Sequence, residues 1–326
     1  MNIKQAILKA FQENPDQFIS GEELSRTCQC SRTAVWKHIE ELREEGYCFE
    51  AVRKSGYRLV SAPDSISAEQ IIAGLTTASI GKHIVAYDTV ETTQRLAHEE
   101  AAKGAPEGTI VIAEQQMIGK GRMGRPWHSP KGTGIWMSMI IRPSIPLDKA
   151  PQMTLVTAVA MAKAIESILP DLKVQIKWPN DLFINGKKCC GILTELNAEE
   201  NRVKYLVIGI GLNVNNVLED YPEELHSVAT SVRIESGVAV KRAELIQAFC
   251  RSFEREYQFY LENGFERVRV EWEESSYTLG RLVTVHIGQN VVEGRAVGLH
   301  TDGALLVEDS FGVRHRVYSA DLDYRA

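Results

Sequence analysis

Three short stretches concentrate the residue types that do chemistry. In "GKGRMGRPW" (119–127), Gly119, Gly121 and Gly124 alternate with Lys120, Arg122 and Arg125 before the chain closes on Pro126 and Trp127. Glycine lets backbone N–H groups come close to anionic oxygens, and the cations add charge, so the stretch suits a phosphate. The plainer alternative is a solvated basic turn. Trp127 either offers a face for a nucleobase or anchors the loop in the core. The spacing also spells G-x-G-x-x-G, but a dinucleotide site needs a helix opening on the motif. Here the chain runs on as "PWHSPKGTG" (126–134), whose prolines and glycines forbid that helix, and NAD is excluded.

The second stretch is "KWPNDLFINGKKCCGILTE" (177–195), in which Asn180 and Asp181 stand at a turn and Lys188 returns beside Gly191. Strand alternation puts Lys188 and Cys190 on one face and Lys187 and Cys189 on the other, so one lysine can face a site and its neighbour water. Asp181 is a candidate magnesium contact, because Mg²⁺ carried by a nucleotide needs only one or two protein carboxylates. An ordinary charged hairpin reads equally well. The third stretch, "VIGIGLNV" (207–214), is apolar with Gly209 and Gly211 inside it and Asn213 at its end. Glycine within a strand marks either close ligand approach or close packing.

The elements that must position these residues follow from periodicity. From 66 to 272, strand-like runs ("GTIVIAEQQ", "GIWMSMIIRP", "KVQIKWP", "DLFI", "KCCGILTEL", "VKYLVIGIGLNV") alternate with helices near 67–76, 93–103, 151–169 and 241–262. Asn185-Gly186 is a strong hairpin signal, and the whole reads as a mixed-sheet α/β domain. Residues 275–326 give short strands broken by turns, a small all-β barrel. Residues 1–62 read as three helices and a hairpin: Ser20 caps the second helix with Glu23 three residues on, Ser31 caps the third, and Gly46 stops it. That order is a winged helix-turn-helix. On the third helix Arg32, Thr33, Trp36 and Lys37 lie off the apolar stripe of Val35, Ile39 and Leu42, near an N-terminus that suits phosphate; Arg53, Lys54 and Arg58 charge the wing. The fold class is therefore α+β multidomain.

Bulk composition limits the function. At 326 residues the chain is long enough for more than one core, and its net charge of −6 confines any DNA contact to a local surface. The most apolar stretch, "MTLVTAVAMAKAIESIL" (153–169), is broken by Lys163 and Glu166 and reads as a buried helix rather than a membrane span. Cys28, Cys30, Cys48, Cys189, Cys190 and Cys250 show no zinc spacing, and with no export signal they read as reduced thiols of a cytoplasmic protein.

Taken together, "ETTQ" (91–94), "GKGRMGRPW", "KWPNDLFINGKKCCGIL" and "IGIGLNVN" resemble the motif series of the biotin-protein ligases, in order. With the winged helix and the small C-terminal barrel, which the resemblance makes SH3-like, the whole chain is similar to the bifunctional bacterial type that also represses biotin genes. The resemblance implies that biotin and ATP form biotinyl-5'-AMP and pyrophosphate. Biotin then passes to a lysine of the biotin carboxyl carrier protein of acetyl-CoA carboxylase. It assigns Thr92, Thr93, Gln116 and Gly119 to the biotin ring side, and Arg122 to the carboxylate and phosphate. Lys188 becomes, with Arg122, the catalytic pair. Gly191, Gly209 and Gly211 line the biotin pocket; Gly121, Gly124, Arg125, Trp127, Asn180 and Asn213 fall on the nucleotide side, with Asp181 toward Mg²⁺. Ser31, Arg32, Thr33, Trp36, Lys37, Arg53 and Lys54 would meet operator DNA. Residues 215–235 would close over adenine, and the adenylate would promote a homodimer. Lys120 stands where the family usually has arginine, Met123 where it often has a second basic residue, and "ETT" replaces Asp-Ser-Thr while keeping both hydroxyls. A non-catalytic sensing repressor and a lipoate-type ligase of the same fold remain the alternatives.

Overall fold

The computed structural model describes residues 3–53, 55–199, 202–287, 290–318, 320 and 322–324. The N-terminal module is α1 (Ile3–Glu13), α2 (Gly21–Thr27), α3 (Arg32–Glu44) and the hairpin β1 (Cys48–Val52) and β2 (Gly56–Ser61). The caps form as expected: Ser20 Oγ accepts from the Glu23 N–H and Ser31 Oγ from the Ala34 N–H, both at 3.1 Å. Ile7, Leu8, Leu24, Val35, Ile39 and Leu42 close a core of their own. That core orients α3, leaving Ser31, Arg32, Thr33, Trp36 and Lys37 exposed on one face. Arg53 is exposed on the wing, whereas Arg58 is paired with Glu50 and lies over Phe18. Lys54 lies outside the described residues.

The central domain adds α4 (Ala68–Ala73), β3 (Ile84–Val90), α5 (Thr93–Ala102), β4 (Ile110–Gln116), β5 (Gly134–Ile141), α6 (Gln152–Ile168), β6 (Gln175–Lys177), β7 (Asp181–Ile184), β8 (Lys187–Glu199), β9 (Arg202–Asn213), α7 (Val232–Ser236), α8 (Arg242–Asn263) and α9 (Glu266–Glu274). Its seven-stranded sheet has the order β3-β4-β5-β9-β8-β7-β6; β3 and β4 are parallel and the other neighbours antiparallel. Strand β5 is buried at all eight positions, as a central strand covered on both faces must be. Helix α6 packs chiefly on α8, and its one lysine, Lys163, is spent on Glu256 and Glu271. Asn185 and Gly186 both take positive φ, 49° and 79°, which is the geometry a two-residue hairpin turn demands. Three elements escaped the periodicity reading: β3, an edge strand with four exposed positions, α7, five residues too short to show a period, and α9, whose "ERVRVEWEE" is mostly charged.

The C-terminal domain is a five-stranded antiparallel sheet in the order β13-β12-β11-β10-β14: β10 (Leu282–Ile287), β11 (Asn290–Leu299), β12 (Leu305–Glu308), β13 (Arg314–Val317) and β14 (Leu322–Tyr324). Its buried residues continue the central core, and the chain entering it pairs with the β6 edge through Ser275 O and Tyr277 N–H on either side of Ile176. Among the described residues no helix is long and apolar enough to cross a membrane.

Candidate active site

The site gathers at one end of the sheet, where β4 stops, β5 begins and the β7–β8 hairpin returns. Gly119–Trp127 folds back on itself: Trp127 N–H donates to Gly119 O at 2.8 Å and Gly121 N–H to Arg125 O at 2.7 Å. Between them Met123 and Gly124 turn the chain with φ of 56° and 73°. This closed turn aims Arg122 at the next strand pair, where Nη1 donates to Asn180 Oδ1 at 3.1 Å. Asn180 in turn donates to Ile192 O at 2.8 Å, so the amide is locked with its oxygen toward the arginine.

Lys188 approaches from the other arm of the hairpin. Its ammonium lies 2.8 Å from Asp181 Oδ1 as an ion pair without hydrogen-bond alignment, and 5.2 Å from the Trp127 ring centroid. Arg122 and Lys188 thus come from separate segments yet serve adjoining partners, Asn180 and Asp181. The alternation expected of Lys188 and Cys190 is interrupted by a register shift between Leu182 and Phe183, which pairs Leu182 with Cys190 and Phe183 with Lys188. Lys187, ahead of that shift, does not simply face water but donates to His226 O at 3.0 Å. Both neighbouring thiols are buried, and burial pushes Cys189 and Cys190 well up from the ordinary thiol value. They are not nucleophiles.

The glycines have different tasks. Gly191 and Gly211 are register partners, and a Cβ on Gly211 would stand 2.4 Å from Trp127 Nε1; one on Gly191 would stand 3.0 Å from Trp127 Cζ3. The half-buried ring of Trp127 therefore lies on the glycine floor itself. Expectation put the ring on the nucleotide side and the glycines on the biotin side; in the structure they touch. Gly209 departs from expectation too: the space over its Cα is filled by the Gln94 amide, whose Oε1 would be 2.5 Å from a Cβ there. Gly119 is required where its Cα passes Trp127 O and Ser129 Oγ.

Beside the floor is a polar cluster. Thr93 N–H and Oγ1 both reach Gln116 Oε1, at 2.9 and 3.1 Å, and Gln116 Nε2 donates to Ser129 Oγ at 3.1 Å. Thr92 caps α5, accepting from Gln94 N–H at 3.3 Å. The other wall is the segment after β9. Asn213 donates to Thr230 O, Asn216 to Thr133 Oγ1, and Lys188 exchanges backbone hydrogen bonds with Val228 and Thr230. The expected closing segment, 215–235, is thus built into the site wall through Lys188 itself. Buried Tyr221, whose hydroxyl burial pushes up, donates to Thr230 O at 3.0 Å. Behind it, Asp64 of the interdomain connection accepts from Asn215 and from Arg242, which also binds Glu114 and Gly134 O.

With this geometry, comparison with known proteins is direct. The bifunctional ligase/repressor BirA of Bacillus spizizenii is 46% identical over 98% of both chains, and that of Escherichia coli 30% identical over 90% of this chain and 88% of its own. This chain belongs to the bifunctional ligase/repressor family. Within the ligase/repressor, residues 4–58 match an HTH domain, residues 86–213 the biotin/lipoate A/B protein ligase family, and residues 278–324 the biotin protein ligase C terminal domain. The solved biotin protein ligase of Aquifex aeolicus, in complex with biotin and ATP, superposes with a TM-score of 0.65 at 28% identity, covering 75% of this chain and 99% of that one. The ligase/repressor is thus a ligase joined to a DNA-binding repressor module. Its site holds polar residues that motif reading passed over: Gln94, Ser129 and Ser138. The signal was present for Ser138, one polar residue inside the wholly apolar run "GIWMSMII", since a buried hydroxyl needs a partner.

Proposed function

We propose that the ligase/repressor activates the carboxylate of biotin with ATP and delivers biotin to a lysine of the biotin carboxyl carrier protein. A carboxylate oxygen attacks the α-phosphorus of ATP, the bond to pyrophosphate breaks, and biotinyl-5'-AMP results. The neutral lysine amine of the carrier then attacks the acyl carbon, an amide forms, and AMP leaves. The observation that carries this reading is the convergence of Arg122 and Lys188 beside a glycine floor and a polar cluster that includes Thr93 and Gln116. Two anions must meet in the first step, and fixed cations lower that repulsion where it is greatest.

In this reading Thr92, Thr93, Gln116 and Gly119 face the ureido ring, and Gly191 and Gly211 underlie biotin. Gly209 acts one layer behind them by admitting Gln94. Gly121, Gly124, Arg125, Asn180 and Asn213 serve the nucleotide. Trp127 stacks on adenine after its ring leaves the floor. Its Nε1–H, buried there without a hydrogen-bond partner, disfavours the closed position and eases that exchange. ATP enters with its own Mg²⁺, and Asp181 is a single carboxylate already paired with Lys188. Among the described residues no three metal-binding side chains cluster, so the fit is to one contact on a metal held mainly by phosphates. The exposed face of α3 and the wing meet operator DNA, and the adenylate promotes the homodimer that binds it.

A mobility shift on the chain's own upstream DNA, with biotin, ATP or both, tests the reading alongside pyrophosphate release. We expect both outputs to require both ligands, and Lys188→Ala to lower release by roughly 10²–10³-fold. Pyrophosphate release without biotin, or lipoate serving in its place, would refute the ligase assignment; a biotin-dependent shift without ATP would mark a non-catalytic sensor.

A further inference from the structure

The polar cluster that holds Thr93 is the end of a buried hydrogen-bond chain, Gln94–Ser138–Thr93–Gln116, in which two hydroxyl hydrogens serve three oxygen–oxygen contacts. Gln94, 8% exposed, reaches the carbonyls of Val207 at 3.1 Å and Leu193 at 3.4 Å. Two carbonyl acceptors can be met only by the amide NH₂, so Gln94 Oε1 faces the other way and can only accept. Ser138, with no exposed surface, donates its single hydrogen to that oxygen at 2.9 Å. Having spent its proton, Ser138 Oγ can only accept from Thr93 Oγ1, 2.8 Å away. Thr93 thus has one hydroxyl hydrogen for two acceptors, Ser138 Oγ at 2.8 Å and Gln116 Oε1 at 3.1 Å; the shorter contact takes it, which leaves Thr93 an acceptor on the side of Gln116. Gln116 Oε1, 3.1 Å from it, already takes the Thr93 N–H and is an acceptor as well. Gln116 Nε2 donates to Ser129 Oγ, which donates on to Trp127 O, and keeps a second hydrogen.

We infer that Ser138 and Gln94 are positioning residues that set the polarity of this cluster toward the ligand. They hold Thr93 and Gln116 as paired acceptors next to one amide donor, the complement of a cyclic urea with its N–H donors flanking a carbonyl. This rests on the biotin reading and deepens it. Neither residue touches the ligand. Each acts by deciding where the Thr93 hydrogen points. A ring of the same size without N–H groups leaves two oxygens facing each other with no hydrogen between them, and is rejected.

The chain reverses in a defined way when it is cut. Ser138→Ala removes the acceptor for Thr93, whose hydrogen then turns to Gln116 Oε1 and consumes that acceptor. Gln94→Met frees the Ser138 hydrogen to turn onto Thr93, which passes its own to Gln116, so two acceptor positions are lost. The test is steady-state pyrophosphate release by the full chain with biotin and ATP, together with calorimetric binding of biotin alone. For Ser138→Ala we expect the KM for biotin and its Kd to rise about 10-fold, with kcat at saturating biotin within about 2-fold of the parent. Ser138→Thr, which keeps the hydroxyl, should restore the parental KM. Gln94→Met supplies the same readout if Ser138→Ala does not fold. A parental KM in either folded variant, or an equal loss in Ser138→Thr and Ser138→Ala, overturns the inference. A parent that binds no biotin at all overturns the proposed function instead.

Discussion

Arg242 offers a severe test of how the domains are tied together. Its side chain is 1% exposed, and its Nε reaches Asp64 Oδ2 at 3.0 Å, Nη1 Glu114 Oε2 at 2.7 Å and Gly134 O at 3.1 Å, and Nη2 Asp64 O at 2.6 Å. One guanidinium thus joins the connection after the winged helix to β4, to the first residue of β5 and to its own helix, α8. Arg242→Ala leaves the two carboxylates facing a cavity. Breaking a buried pair costs about 3–5 kcal/mol; since Asp64 and Glu114 keep 34% and 19% side-chain exposure and can hydrate, the lower end applies, about 3 kcal/mol. At about 2–4 °C per kcal/mol for a domain of this size, the melting temperature should fall by roughly 6–12 °C. Calorimetry reads that loss, and limited proteolysis at residues 61–66 reads the release of the connection. Because Asp64 also receives Asn215 at 2.8 Å, two residues past Asn213, a cycle with Asp64→Ala should show coupling above about 1 kcal/mol. A shift below 2 °C, or additive effects in the cycle, would refute the claim that this cluster holds the connection.

Three further outcomes follow from single contacts. Gly211→Ala places a methyl 2.4 Å from Trp127 Nε1 while its backbone needs no positive φ, so folding should survive with the resting ring displaced; in the proposed function the same methyl crowds biotin over the floor, so adenylate retention should weaken about 10-fold, and unchanged dissociation would place biotin elsewhere. Glu254 accepts from the N–H groups of Ala78, Ser79 and Ile80 and from the Ser79 hydroxyl. Burial alone would raise its carboxyl, but these donors hold it below the usual value. Its stabilisation is therefore full above about pH 4.3 and disappears as pH falls through the lowered folded value, so parent and Glu254→Gln should differ near pH 6 and converge in acid. A gap that widens in acid would contradict that sign. Trp36, 55% exposed on α3, should when changed to alanine weaken the operator shift without altering pyrophosphate release or melting; loss of the melt would make it a core residue.

Local chemistry made much of the molecule readable, and long-range pairing made the rest opaque. Ser20 and Ser31 announce helices because a cap is satisfied three residues away, and Asn185-Gly186 announces a hairpin because few other pairs accept two positive φ values. The same locality explains why α9 was passed over: its charges meet partners such as Lys163, on a helix about a hundred residues earlier, which no window reveals. Strand β3 was missed because an edge strand buries too little to show alternation. At the site, the motif residues carrying charge or lacking a Cβ stood out, since their chemistry is unusual in itself. Gln94 and Ser138 did not, because each looks like an ordinary polar residue until the sheet brings Val207, Leu193 and Thr93 to it. Motif spacing therefore finds the charged groups and glycines that the fold brings together at one end of the sheet. The groups behind them become visible only when the donors of the buried chain are assigned acceptors, and the same packing explains why residue 209 is a glycine: a Cβ there would stand 2.5 Å from Gln94 Oε1.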